Sequence, residues 1–501
     1  MDTQSFFALD FQASLFPMKT NSLLIQHQNI ALAQYIKRIL SDDSADTDCS
    51  FLPQTRVHAA KPGNHLRRTV VLDPVASYFL YDLIFRNRTA FSRKYATKRR
   101  ALGYQFTGNH PIAVHKAYRQ FTDLVKVNRR RYKHSVSFDI ASYFNSIYHH
   151  DVSHWFSSLP GVTGADGNGF GRFTREINSG RSIDFLPQGI YPAKMIGSEF
   201  LRFVELSGQV KCSQSLRFMD DIYLFDNDLQ VLRQDFLRIQ GLLGLRALNV
   251  NPTKTMFDGH DESVKDAASA IQQEVAAIVE VAEAPSVILG SGNSIEFYDE
   301  DESANNEPAS LDNAQVEQLL SLLMNSTAEE ADAELILTIL HEHSESITTH
   351  IPTLIAKFPN IIKQLYKLVG QILATDVVTD QLIEVLDADD GLLEYQLFWI
   401  AVIAEDHLSD TKNFGKLILR LYEKSMGHKI ACAKILEIPD QTFGLKDIRD
   451  EVLKSGTSDW LSWAAAIGTR SLKKAERNYA LKYFAKGSHL NQLVAECVRN
   501  L

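Results

Sequence analysis

The chain has 501 residues, 45% apolar and 23% charged, with a formal net charge of −9. That length is more than one compact core supports, so roughly two to four domains are expected, and no apolar run reaches the roughly 18 residues of a membrane span, which argues against a membrane protein. The four cysteines, Cys49, Cys212, Cys432 and Cys497, lie too far apart for a CxxC zinc or redox motif or a disulfide framework. Asp2 and Asp10 precede the first lysine, Lys19, so no basic leader is read and a cytoplasmic protein is expected. The negative charge is unevenly spread. From Phe91 to His134 twelve Lys or Arg face one acid, Asp123, whereas from Asp261 to Glu345 twenty Asp or Glu face one base, Lys265. The front can hold phosphates and the middle would repel them.

Apolar spacing through Ile30, Ala33, Ile36 and Ile39 predicts a helix over 20–40 that carries Tyr35, followed by a polar loop. RRTVVLDP at 67–74 predicts a short strand, a proline break and a helix from about Val75. In the basic run 91–106, Tyr95, Tyr104 and Phe106 alternate with Lys and Arg, the composition of a nucleic-acid channel or of a solvated basic loop. A long helix is expected over about 111–132. SVSFDI then alternates as a core strand ending in Asp139, with a helix near Asp151. His149, His150 and His154 include an i, i+4 pair but have no acid or cysteine at zinc-like spacing, so structural or phosphate-contacting histidines are expected. The glycine-rich stretch 159–172 lacks the P-loop lysine and predicts a surface connection.

LPQG at 186–189 opens a further helix, to about Leu206. SLRFMDDIYLFD, 215–226, reads as strand, tight turn and returning strand with Asp220 and Asp221 at the tip. A helix near 229–243 and the run NVNPTKT, 249–255, with Lys254, follow. After His260 an alanine-rich helix leads into a polar, acidic linker, with a domain boundary near 285–312. Beyond it the stripes Val316, Leu319, Leu320, Leu323 and Phe414, Leu417, Ile418, Leu421 predict helices with no strict repeat length, an irregular solenoid-like array. The closing segment 471–487 mixes five bases with three aromatic residues, and a solvated helix face is expected there.

Asp139 in FDIASYFNSI, LPQG, FMDD at 218–221 and NPTKT occur in the order of the palm motifs of reverse transcriptases, and about residues 60–260 resemble that family. The resemblance implies an α+β fold: an N-terminal helical extension (1–60), right-hand polymerase fingers and palm (61–260), a connecting helix and acidic linker (261–311), and an all-α, HEAT-like helical domain (312–501). It also implies nucleotidyl transfer with two Mg²⁺ ions, Mn²⁺ able to substitute, held by Asp139, Asp220, Asp221 and the Ile140 carbonyl, because hard ions take oxygen ligands. Phe144 is then the ring that excludes a ribose 2′-hydroxyl and so favours dNTPs. Gln188 and Gly189 line the nucleotide groove, Lys254 sits near the phosphates, and Arg68 reaches the triphosphate. Ala193 stands where intron-type members place serine, and no maturase thumb, RNase H, integrase or HNH segment follows.

A palm joined to a large helical domain is similar to the abortive-infection (Abi-type) bacterial reverse transcriptases, and IYxH at 147–150 resembles the retron and defence branch. That similarity implies phage defence through untemplated DNA synthesis primed on a protein hydroxyl, Tyr35 being the candidate. Single-stranded DNA would stay attached to a homo-oligomeric enzyme, with a phage component as trigger. An RNA-templated retron- or intron-like enzyme, and an inactive palm scaffold with a protein-binding array, remain as alternatives.

Overall fold

In the computed structural model the described residues are 1–11, 13–41, 49–63, 65–92, 97–257, 270–281, 311–388, 391–439 and 444–501. Three short helices open the chain: α1 (Thr3–Phe11), α2 (Lys19–His27) and α3 (Asn29–Leu40). The single helix expected over 20–40 is thus two. Gln28 leaves helical geometry at φ −129°, closing α2 through its N–H to the Leu24 carbonyl and opening α3.

Strands β1 (Thr55–Lys61) and β2 (His65–Val71) form an antiparallel hairpin with Lys61 opposite His65, straddling the expected boundary at 60/61. Helix α4 (Pro74–Arg86) follows as LDP predicts: Asp73 accepts from the Val75 and Ala76 N–H groups and Pro74 occupies a first-turn position where no donor is needed.

The sheet that matters to the site has five strands in the order β3 (Arg99–Leu102), β7 (Gln214–Phe218), β8 (Asp221–Asp226), β6 (His134–Phe138) and β9 (Met256–Phe257). Strand β3 is parallel to β7 and the other neighbours are antiparallel. Two short strands, β4 (Phe106–Thr107) and β5 (His110–Pro111), pair beside it and lead into α5 (Val114–Arg131). Phe121 of α5 meets Phe218 and Tyr223, whereas Phe236 of α11 (Leu229–Gly244) meets Phe138, which lies opposite Ile222. Tyr223 and Ile222 are consecutive in β8 and point to opposite faces, so α5 and α11 cover opposite faces of the sheet.

The helices between β6 and β7 are α6 (Tyr143–Ser146), α7 (His149–Ser157), α8 (Gly164–Glu176), α9 (Tyr191–Phe200) and α10 (Phe203–Leu206). Helix α8 corrects the expectation of a surface connection over 159–172. Thr163 caps it by accepting from the Asp166 N–H, and its glycines permit close approach: a Cβ on Gly167 would lie 2.5 Å from Ser157 Oγ. Packing overrides the roughly 1 kcal/mol per glycine that propensity charges against such a helix.

From residue 311 onward the described secondary structure is helical, through Glu394–His407 and Lys429–Glu437 to Lys474–Phe484 and His489–Asn500. In the two predicted stripes Val316, Leu319, Leu323, Phe414, Leu417, Ile418 and Leu421 are buried. The boundary expected near 285–312 lies almost wholly outside the described residues. The array packs directly on the front of the chain. Trp399 donates its indole N–H to the Leu15 carbonyl (3.1 Å), Lys363 Nζ reaches the Ala13 carbonyl (2.7 Å), and Glu330 Oε1 accepts from the Gly63 N–H in the β1–β2 turn (2.8 Å). Among the described residues no helix is long and apolar enough to cross a membrane.

Candidate active site

Strands β7 and β8 are joined by Met219 and Asp220 alone, since Phe218 pairs with Asp221. So short a hairpin needs a positive φ at its tip, and Met219 supplies it at +56°. The turn is held from below. Arg217, almost wholly buried, donates from Nη1 to the Met219 carbonyl (2.9 Å) and pairs through Nε and Nη2 with Glu205 of α10 (2.6 and 3.1 Å). That planar two-point grip on a carboxylate fixes the guanidinium under the hairpin tip.

Asp139 follows the last residue of β6 and is buried. Its Oδ2 accepts from Lys254 Nζ at 2.7 Å, and its Oδ1 has no hydrogen-bond partner. The NPTKT segment is docked alongside: Asn251 N–H donates to the Asp139 carbonyl and Ala141 N–H to the Asn249 carbonyl, with Ile140 bridging Val250. Consecutive carbonyls of extended chain point to opposite edges, so the Ile140 carbonyl is left on the β8 side, toward the hairpin.

The charges act on one another. Burial, and then the neighbouring Asp139 carboxylate, push Asp220 up to about 6 against the pull of Lys254 and Arg217. Lys254 is held above the ordinary lysine value despite partial burial, by its bond to Asp139 and by the fields of Asp139, Asp221 and Asp220. One ammonium therefore bonds Asp139 and feels the charges of the other two carboxylates. Among the described residues no group of three or more His, Cys, Asp or Glu side chains is placed to hold a metal ion. The donor set nonetheless suits a hard divalent cation: an orphaned buried carboxylate oxygen on Asp139, and an Asp220 whose ionised form needs a positive partner.

Gln188 and Gly189 dock on β2. Thr69 Oγ1 donates to the Gln188 carbonyl (2.6 Å), Gln188 Nε2 donates to Asn145 Oδ1 (2.9 Å), and Gly189 has φ +102° with no room for a Cβ, which would lie 2.8 Å from Thr69 Oγ1. Phe144 on α6 lies over Gly197, where a Cβ would come within 3.1 Å of its ring, and the Tyr143 hydroxyl donates to the Gly197 carbonyl (2.6 Å). Arg68 is ion-paired with Asp184, which Arg56 also reaches at 3.2 Å. Tyr35 is half-buried on α3 with its ring 5.9 Å from that of His489 in the last helix, apart from the carboxylates.

Tyr104 and Phe106 are buried in the core, so of the aromatic residues read as base-stacking rings in the basic run neither is on a surface. Their ring edges pack instead on Phe218, Tyr191 and Phe6. Tyr95 lies outside the described residues. His149 is buried, with Nε2 3.4 Å from the Gly171 carbonyl and its pKa lowered by burial, as a structural histidine should be.

Sequence reasoning missed Lys61. At the end of β1 it feels Asp220, and its pKa is lowered by desolvation and by the cations Arg67 and Lys254. It also missed Arg217 with Glu205. Neither has a local signal, because each acquires its neighbours only when the hairpin and the sheet are brought together.

No family model matches the chain, and no curated protein matches it in sequence. Among solved structures, similarity is found to telomerase from Candida albicans with a fragment of telomeric RNA (11% identity, 79% of this chain, 70% of that one, TM-score 0.28). It is also found to apo telomerase from Candida tropicalis (13%, 79% and 73%, TM-score 0.31) and to the same enzyme with the RNA fragment (12%, 79% and 67%, TM-score 0.29). The likeness is loose, and the side chains, not the superposition, carry the functional argument.

Proposed function

We propose that the chain is a DNA polymerase of the reverse-transcriptase family, adding dNTPs by nucleotidyl transfer. The observation that supports this most is that Lys254 is bonded to Asp139 at 2.7 Å and also lies in the field of the hairpin acids Asp220 and Asp221, so that groups from three separate stretches of sequence act on one another at the end of the sheet. The three aspartates, with the Ile140 carbonyl, would hold Mg²⁺ or Mn²⁺. When bound, two such ions activate the attacking hydroxyl and stabilise the leaving pyrophosphate. Around them Lys254 and Lys61 bring positive charge to the place where phosphate charge builds up. Phe144 on its glycine seat favours a deoxyribose, and Gln188 and Gly189 form the floor that β2 holds in place. Arg68 reaches the triphosphate once Asp184 releases it.

The finer reading is phage defence by untemplated, protein-primed synthesis in a homo-oligomer. The untemplated part of that reading draws on an acid that the helical array brings to the fingers hairpin: Glu330 accepts from the Gly63 N–H. A template strand passing there would meet negative charge. Incubation with Mg²⁺ and labelled dNTPs, without nucleic acid, tests both levels on a denaturing gel. Label that migrates with protein until protease is added is expected; a strict requirement for added RNA overturns the untemplated reading and leaves the templated one. Asp220→Asn is expected to abolish incorporation in either format, and retention of activity by that variant removes the metal-site assignment.

A further inference from the structure

Helix Lys474–Phe484 lies near the end of the chain and buries Arg477, Leu481 and Phe484 on one side. On the other side two parallel stripes face solvent. Ala475, Tyr479 and Tyr483 follow one row of four-residue steps, and the flanking row carries Lys474, the half-buried Asn478 and Lys482, with Lys486 just beyond the helix end; the three lysines and both rings are exposed. Tyr479 is 82% exposed and Tyr483 61%, unusual values for two large rings one turn apart.

Tyr483 is seated. Gly456, with φ +66°, lies under it so closely that a Cβ there would be 2.9 Å from the ring, and Gly487 approaches the Gly456 carbonyl in turn, its own built Cβ coming within 2.1 Å of that oxygen. The ring thus rests on backbone on one side and leaves the other open. Among the described residues no acid lies within ion-pairing distance of Lys474, Lys482 or Lys486, and the acid of this helix, Glu476, is taken by Lys446. In a chain of net charge −9, this is a basic island fitted with open aromatic faces.

We infer that this face binds single-stranded DNA, the polymer that the polymerase reading has the protein make. Lysines neutralise phosphates while rings give bases a surface that every base can stack on, whatever the sequence. Four residues rise about 6 Å along a helix, so a strand running along it meets a ring every one to two bases. An acidic protein surface, a second copy of this chain included, would pair with the lysines alone; the two open rings beside them favour a polyanion that also stacks.

The test uses the full chain and a fluorescein-labelled oligothymidylate, with anisotropy read over a range of salt concentrations. Tyr479→Ala with Tyr483→Ala is expected to weaken binding about tenfold or more, and the corresponding Phe pair to retain it. Lys482→Gln with Lys486→Gln is expected to flatten the slope of log K against log salt by about 1.4. Tyr479→Ala alone, at a side chain making few contacts, guards against misfolding and should give a smaller loss in the same direction. All are expected to leave dNTP incorporation intact. Unchanged oligonucleotide affinity and slope with incorporation intact overturn this inference alone; absence of incorporation by the unaltered chain overturns the polymerase reading instead. Altered self-association with unchanged oligonucleotide binding makes the face a contact between copies and likewise overturns it.

Discussion

A methionine in left-handed conformation at a two-residue turn costs on the order of 1 kcal/mol more than glycine would, and the fold retains Met219 there at φ +56° with Arg217 bonded to its carbonyl. Lys254 completes the arrangement from the far side, and its side chain is 42% exposed, so it supports the charge pattern more than the core. Lys254→Ala is accordingly expected to fold normally and to lose about 10²–10³-fold in single-turnover incorporation, the scale of removing one preorganised positive group from a transition state. Wild-type incorporation by that variant would remove Lys254 from the chemistry. Asp139, Asp220, Asp221 and Lys254 stand out in the sequence through the short motifs FDIASYFNSI, FMDD and NPTKT around them, and Asp139 and Lys254 do meet in the fold. Lys61 and Arg217 do not stand out, since a lysine at a strand end and an arginine inside a strand look alike whether they face a carboxylate or water.

At the scale of elements, β2, β6 and the β7–β8 hairpin, with α4, α5 and α11, followed from alternation, capping and proline placement, whereas β1, the short strands β3, β4 and β5 in and after the basic run, and α8 did not. Its sequence, GADGNGFGRFTRE, spends four glycines that read as a loop, and the reason for them lies in α7, α3 and α4, outside any local window. The glycines should therefore respond in opposite directions to alanine. Gly171 has its nearest neighbour, Ser153 Cβ, at 3.9 Å, so Gly171→Ala is expected to stabilise by about 0.5–1 kcal/mol through helix propensity. Gly167→Ala would force a Cβ to 2.5 Å from Ser157 Oγ and within 3.3 Å of its Cα, and is expected to destabilise by about 1–3 kcal/mol despite the same propensity gain. Urea midpoints of the two variants decide it: equal shifts of the same sign would mean that close packing is not what places this helix.

For the molecule as a whole, the joint between the array and the N-terminal helices is a buried set of charges that no sequence pattern announces, because its members are some four hundred residues apart. Glu437 accepts from the Lys19 and Thr20 N–H groups (2.9 and 2.7 Å) and from the Thr20 hydroxyl (2.6 Å), so a carboxylate of the array caps the first turn of α2. Beside it Glu405 holds Lys434 at 2.6 Å, Arg470 at 2.9 Å and Lys19 at 3.1 Å, with Lys434 and Glu405 almost wholly buried. Burial alone would raise the Glu405 carboxyl; Lys434 and Lys19, followed by Arg470, outweigh it and bring it down to about 2. A carboxyl lowered on folding contributes stability that is present above its unfolded value near 4.5 and is lost as pH falls toward the folded value. From about 4.5 to about 2 that amounts to on the order of 3 kcal/mol for this group. Glu405→Gln leaves Lys434 with Glu437 alone and is expected to cost about 3 kcal/mol at pH 7, the usual scale for breaking a buried pair from one side. Because the variant no longer has that carboxyl to protonate, its deficit relative to the unaltered chain should shrink as pH falls below about 4.5. Guanidinium melts at pH 7 and pH 3.5 measure the two differences. A deficit of the same size at both would show that Glu405 acts there by packing and not as the charge that fastens the array to the front of the chain.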